Sequence, residues 1–287
     1  MPVNLILPDW IGAPPNVGAC STSRAGGHSM APYDDGSGSG LNGLNLGANV
    51  EDDAVSLARN RQQLQMFLPS EPAWLQQVHG MTVVDAALVG ATDQPCTLAT
   101  STGTPHNALD TTTFTTTAIA DASFTDRPGI VCVVTTADCL PVLLTDMQAK
   151  VVAAVHAGWR GLAAGVIEQT IAAMRARGAG ELLAWLGPAI GAQHFEVGPE
   201  VRAVMLERDP RAETAFRALS GRYEKYLADL YHLARLALSN SNVSRIAGGE
   251  HCTFSEAGRF YSYRRDGKTG RMATMIWIKP TSIEANQ

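Results

Sequence analysis

The stretch Ile130-Val-Cys-Val-Val-Thr135-Thr-Ala-Asp-Cys139-Leu-Pro141-Val-Leu-Leu-Thr145-Asp-Met-Gln-Ala-Lys150-Val-Val-Ala-Ala-Val155-His156-Ala-Gly-Trp-Arg-Gly161 decides the fold. Residues 130–135 form an apolar, β-branched run that reads as a buried strand, and residues 141–145 and 151–155 read as two more. Only residues 146–150 separate the last two, which is short enough for an antiparallel hairpin. In such a hairpin the start of the first strand lies beside the end of the second, about 5 Å away across the ladder. Cys139 just precedes the first strand and His156 just follows the second. The spacing therefore predicts that the two side chains meet at one edge of a sheet.

Downstream, Leu162, Val166, Ile167, Ile171 and Met174 form one apolar face of a helix ended by Gly178. Upstream, Asp52 or Asp53 caps a helix running through Ala54, Val55, Ala58, Leu64 and Phe67 until Pro69 stops it. Further helices are expected from Pro199 and around Leu227, Leu230, Leu233 and Ala237. Met272, Thr274, Ile276 and Ile278 alternate with Ala273, Met275 and Trp277 in a final strand. Strands occur both as hairpins and between helices, so an α+β sandwich is expected rather than a doubly wound parallel sheet. Residues 34–49, rich in Gly, Ser and Asn, read as a loop. The Thr-, Ser-, Pro- and Gly-rich stretch that follows Val84 has no helical period and reads as a surface insertion at about 86–117. With neither a clean linker nor a repeat, residues 1–287 are expected to form a single domain.

Hydrophobic residues are 45% and charged residues 17% of the 287, a globular balance far from that of disordered chains. A net charge of -5 gives no reason to expect a nucleic acid or an anionic membrane as partner. The N-terminal apolar stretch is broken by proline and lacks a basic region, so no secretory signal is expected. The five cysteines are scattered, odd in number and free of Cys-x-x-Cys pairs, which argues against a disulfide framework or a structural zinc ribbon. A reducing, cytoplasmic setting is the expectation.

Three segments carry candidate chemistry. Gln76-Gln77-Val78-His79-Gly80 sets a histidine beside glycine, although a histidine alone in such a place is more often structural than a ligand. Thr136-Ala137-Asp138-Cys139 contains a free cysteine, a residue type that usually serves as a small buried hydrophobe. His156-Ala157-Gly158-Trp159-Arg160-Gly161 groups His, Trp and Arg where small residues clear space. Taken together, two imidazoles and one thiolate make a three-ligand set, and zinc held by three protein ligands keeps a fourth position for water or substrate. Asp138 is a candidate partner of a ligand or a proton acceptor; capping its own turn is the plain alternative.

These blocks, in this order, resemble the signature of the laccase-domain (YfiH-like) family, also described as purine nucleoside phosphorylases. The resemblance extends to residues 22–33, Asn45-Leu46-Gly47, Asn60-Arg61, Gly187-Pro188-Ala189-Ile190-Gly191 and Tyr261-Ser262-Tyr263-Arg264-Arg265-Asp266-Gly267, and so covers nearly the whole chain. The departures are the Gly-Ser run at 36–40 and the insertion after Val84. The resemblance implies a layered α/β/β/α sandwich with mixed sheets, and zinc on His79, Cys139 and His156. The implied activity is phosphorolysis of adenosine, inosine and methylthioadenosine to free base and sugar 1-phosphate, with adenosine deamination alongside. Phosphorolysis needs a cationic pocket, for which Arg160, Arg264 and Arg265 are candidates, since guanidinium groups grip phosphate with two donors. Arg160 ranks first among them, and a surface salt bridge is the plain alternative for each. Asn45 and Arg24 are further candidates for substrate binding, with turn formation and anchoring as their alternatives. Phe195 is a candidate for stacking on a base, or simply core.

Besides a pocket that binds a nucleotide-like ligand without turning it over and acts through a partner protein, two rival enzymes remain open at this stage. Two His and one Cys are also the ligand set of a blue-copper centre, which would need an axial ligand such as Met81. The family's other description, polyphenol oxidase, points the same way. Against a multicopper enzyme, the seven histidines include no His-x-His pair. Alternatively Cys139 is the nucleophile of a hydrolase, with His79 or His156 as its base, acting on a peptide-linked cell-wall precursor.

Overall fold

The computed structural model describes residues 3–89 and 117–280. The predicted hairpin is present: Leu140–Asp146 and Val152–Ala157 pair antiparallel, with Leu140 opposite Ala157 and Pro141 opposite His156. The second strand runs two residues further than the sequence suggests, so His156 lies inside it rather than after it.

This hairpin is the centre of a six-stranded mixed sheet, ordered Arg245–Gly248, Leu182–Leu186, Leu140–Asp146, Val152–Ala157, Ala122–Thr125 and Val83–Asp85. Its outermost pairs are parallel and its inner pairs antiparallel. A second sheet, antiparallel throughout, is ordered Leu5–Ile6, Val17–Thr22, Met272–Ile278 and Val131–Thr136.

Strand Met272–Ile278 explains how the layers stack, because successive side chains point to opposite faces and both faces here are buried. Ala273 and Met275 pack on one side with Leu44, Leu46 and Leu64, the last from helix Ala54–Gln65. Ile276 and Ile278 point the other way and join Leu143, Ala154 and Trp185 of the larger sheet. On the far face of that sheet, Val142, Leu144 and Val155 meet Val166, Ile167, Ile171 and Met174, together with Leu230, Leu233 and Leu238. The order is helix, sheet, sheet, helix, as the expected α/β/β/α sandwich requires. Each fully buried Leu or Ile contributes roughly 1.5–3 kcal/mol.

Three local expectations are refined. Asp53, not Asp52, caps the helix Ala54–Gln65, accepting the N–H of Ser56 at 2.8 Å, and the helix ends before Phe67. The single helix expected after His156 is two, Trp159–Ala164 and Val166–Ala176, because Gly165 adopts φ 93° and breaks the hydrogen-bond ladder between them. The expected insertion at about 86–117 begins with a short helical turn, Ala86–Leu88, and its residues 90–116 lie outside the described residues. Among the described residues, no helix is long and apolar enough to cross a membrane.

Candidate metal centre

The chain leaves the smaller sheet at Thr136 and enters the larger one at Leu140, and Cys139 sits on that crossing. The crossing turns sharply at Asp138, whose φ of 89° is a conformation that few side chains tolerate and Asp tolerates better than most. Its carboxylate holds the turn in place by accepting Thr253 Oγ1 and the N–H of Arg264, each at 2.6 Å. His156 is fixed by the hairpin register.

His79 lies in the loop between Leu75–Gln76 and Val83–Asp85, and it too has positive φ, 61°. Asp121, directly before strand Ala122–Thr125, supplies the reason this loop keeps its shape. Its carboxylate accepts the backbone N–H groups of Val78, His79 and Gly80 at 3.2, 2.9 and 2.7 Å. The same carboxylate accepts the Nδ1 proton of His156 at 2.8 Å, and the Asp121 carbonyl accepts the His156 backbone N–H at 2.7 Å.

The donor atoms of His79, Cys139 and His156 all lie within 4.8 Å of one another. Cys139 Sγ is 3.8 Å from His79 Nε2, and the two imidazole rings meet edge to face with centroids 4.8 Å apart. Two donors bound to one zinc at 2.0–2.3 Å in tetrahedral geometry stand about 3.5 Å apart, so the trio fits such an ion with a small contraction. With Nδ1 engaged by Asp121, the remaining ring nitrogen of His156 is the free donor. His156 is buried, Cys139 half-buried and His79 exposed, so the open side of the trio faces outward. Gly158 makes the convergence possible: a Cβ there would stand 2.9 Å from Cys139 Sγ and 3.3 Å from His79 Cδ2.

Electrostatics favour the ligand form of the cysteine. Burial alone would push the Cys139 thiol up, but the charge of His156 and the hydrogen bonds of both imidazoles override it and bring it down to about 6. Burial opposes the protonated form of His156, and the Cys139 thiolate and Asp121 carboxylate override that and hold it up. Burial likewise opposes the Asp121 anion, and its bond from His156 and the N–H groups around it hold the carboxyl below its ordinary range.

The trio opens onto a cleft of about 540 Å³, within the size range of small-molecule sites. Arg160 lines it, exposed, with its guanidinium 4.4 Å from the Trp159 ring centroid. The other predicted polar residues are held elsewhere. Asn45 is fully buried, donating to Asp52 and accepting the backbone N–H groups of Gly47 and Arg271. Arg24 is buried against Asp34 and the Ala257 carbonyl. Arg264 donates to the Glu196 carbonyl and covers Phe195, while Arg265 donates to the carbonyls of Thr253, Phe254 and Phe260 and pairs with Asp266. None of these four lines the cleft, and neither do Phe195 and Met81. Asp138 does not line it either, and its carboxylate is already engaged as described.

Sequence reasoning missed Asp121, Arg61, Trp74, Tyr263 and Arg271, the last four of which line the cleft. One signal existed for Asp121: it is the single charged residue in the apolar stretch Ala118-Ile119-Ala120-Asp121-Ala122-Ser123-Phe124, and a carboxylate buried there must have partners.

Residues 18–279 match the family model described as multi-copper polyphenol oxidoreductase laccase. A purine nucleoside phosphorylase of Pseudomonas aeruginosa is 44% identical over 274 residues, covering 96% of this chain and 98% of its own. The purine nucleoside phosphorylase YfiH of Escherichia coli is 45% identical over 276 residues, covering 96% and 98%. A crystal structure of a Neisseria meningitidis protein superposes with a TM-score of 0.79 at 42% identity, covering 96% of this chain and 100% of that one.

Proposed function

Since the chain belongs to the multi-copper polyphenol oxidoreductase laccase family, we propose that it is a zinc-dependent enzyme of purine nucleosides. Its reaction is phosphorolysis of adenosine, inosine and methylthioadenosine to free base and sugar 1-phosphate, with adenosine deamination at the same site. The observation that carries this reading is the convergence of His79, Cys139 and His156 on the wall of a cleft of about 540 Å³. The relatives named purine nucleoside phosphorylase, similar over nearly their full length, support the choice of substrate.

In phosphorolysis the bond from sugar C1′ to the base nitrogen breaks with its electron pair going to the base, a phosphate oxygen bonds to C1′, and the base takes up a proton. A zinc ion, when bound, supplies Lewis acidity to an oxygen or nitrogen beside it. The rest falls to the chain's own residues. Asp121 keeps the proton on His156 Nδ1 and so leaves the other ring nitrogen as the one that would hold the ion. Tyr263, 61% exposed, offers an aromatic face to the base at the cleft wall. Arg160 brings a permanent positive charge to the cleft wall. Zinc is favoured over a blue-copper centre because Met81, the candidate axial ligand, is 46% exposed and does not line the cleft.

The test is chromatography of purified protein incubated with each nucleoside and phosphate. Free base and sugar phosphate are expected from the native chain and not from His79→Ala. Undiminished product from His79→Ala removes the site assignment. A second reading, a cysteine hydrolase acting on amide-linked peptides, draws on the thiolate character of Cys139. It gains if metal-free protein stays active and alkylation of Cys139 abolishes that activity.

A further inference from the structure

Two arginines to which the sequence reading gave no role, Arg61 and Arg271, both line the cleft together with residues 47–50. Arg61, on helix Ala54–Gln65, lies over the Trp74 ring at 3.9 Å and donates from Nη2 to the Leu46 carbonyl at 3.1 Å. Arg271 lies one residue before strand Met272–Ile278. Its side chain passes against Gly47, where a Cβ would stand 2.6 Å from Arg271 Cγ, and its Nη1 donates to the carbonyls of Thr269 and Gly270. Both are thus anchored through part of the guanidinium by backbone carbonyls of neighbouring loops, and both line the cleft that holds His79 and Cys139.

Among the described residues, neither guanidinium is paired with a carboxylate. Among the described residues, Arg61 Nε is buried without a hydrogen-bond partner, and so is Oγ1 of Thr136, a residue only 2% exposed that lines the same cleft. Glu71, the carboxylate whose charge reaches Arg61, is taken by Trp74 Nε1 at 2.6 Å. Burial opposes the charge of both guanidiniums, so an anion arriving in the cleft beside them gains from a partly desolvated site. Buried donors left unmatched in a cleft are a standing cost that a ligand removes.

We propose that Arg61 and Arg271, with the Thr136 hydroxyl, form an oxyanion subsite that binds inorganic phosphate, the second substrate of the phosphorolysis suggested above. Two fixed positive charges suit a dianion, and the guanidinium fork suits its tetrahedral oxygens. The subsite rests on the phosphorolysis reading for its purpose but not for its chemistry, which is that of a phosphate-sized dianion. It replaces Arg264 and Arg265, which do not line the cleft.

The experiment is titration calorimetry of the zinc-loaded full chain with inorganic phosphate in the absence of nucleoside. Phosphate binding is expected to weaken about tenfold or more in Arg61→Gln and in Arg271→Gln, the loss of one or two charge-assisted bonds. The zinc content should not change, and Arg202→Gln, remote from the cleft and paired with Glu213, should bind phosphate as the native chain does. Because Arg61 also packs on Trp74, Arg61→Lys serves as the folded control: it keeps charge and stem and is expected to retain intermediate affinity with an unchanged melting temperature. In turnover, the glutamine variants should raise KM for phosphate and leave KM for the nucleoside unaltered. Phosphate bound equally by both glutamine variants and the native chain overturns the subsite, even if phosphorolysis is observed. Loss of phosphate binding in both, with no nucleoside turned over by the native chain, upholds the subsite and removes the phosphorolysis reading instead.

Discussion

His156 Nδ1 donates to Asp121 Oδ1 at 2.8 Å, and through the same carboxylate the backbone of His79 is held as well. One buried anion thus orients one proposed ligand by its ring and the other by its main chain. Supporting carboxylates of this kind set the affinity of a metal site without touching the ion. Asp121→Asn is therefore expected to weaken zinc binding by about 10–100-fold, measured by competition with a chelator. A lower melting temperature alone would accompany any buried polar change, so an unaltered zinc affinity in a folded Asp121→Asn protein contradicts the role.

Gly158 is the spacer that lets the cysteine and His79 approach. Its own φ of -65° suits any residue, so Gly158→Ala strains no backbone and acts through the approach of the new Cβ to Cys139 Sγ at 2.9 Å and to His79 Cδ2 at 3.3 Å. The expected outcome is a zinc affinity reduced by about tenfold or more with a melting temperature that barely moves, since displacing one of three ligands costs binding before it costs folding. Equal zinc affinity in the two proteins removes Gly158 from the account.

The cysteine's reactivity should report its environment. A thiol lowered to about 6 is mostly thiolate at neutral pH, and the thiolate is the form that alkylates. In metal-free protein the rate of iodoacetamide modification at Cys139 should therefore stay high as pH falls to near 6 and decline below it. An ordinary thiol loses reactivity below about 8.5. His156→Gln should move the midpoint upward, and bound zinc should protect Cys139 across the whole range. Cys20 and Cys132, pushed up to about 12 by burial, should remain unmodified in the same peptide maps. A Cys139 midpoint in the ordinary thiol range contradicts the electrostatic argument.

How much of this was legible in the sequence depends on the distance over which each contact reaches. Cys139 and His156 are joined by a local hairpin, and strand period with loop length was enough to bring them together. His79 reaches them through Asp121, which is 42 residues further along, and no local pattern encodes that contact. The arginines followed the same rule. Arg264 and Arg265 stand in a conspicuous run, yet the short helix Tyr263–Asp266 turns them onto backbone carbonyls. Arg61 stands in one of the blocks that carry the resemblance, but nothing local gives it a role, and the packing of its helix against residues 46–47 carries it to the cleft. The two-layer core was readable because Met272–Ile278 alternates two apolar sets. The break at Gly165 was missed because an isolated glycine inside an apolar helical period does not announce a left-handed turn.

The central claim is that His79, Cys139 and His156 share one ion and leave a position open beside it. Zinc-edge X-ray absorption on the purified, zinc-loaded protein tests it most directly. The account predicts one zinc per chain with one sulfur at about 2.3 Å, two imidazole nitrogens at about 2.0 Å and one further light atom. A spectrum without the sulfur, or a chain that takes up no zinc, contradicts it.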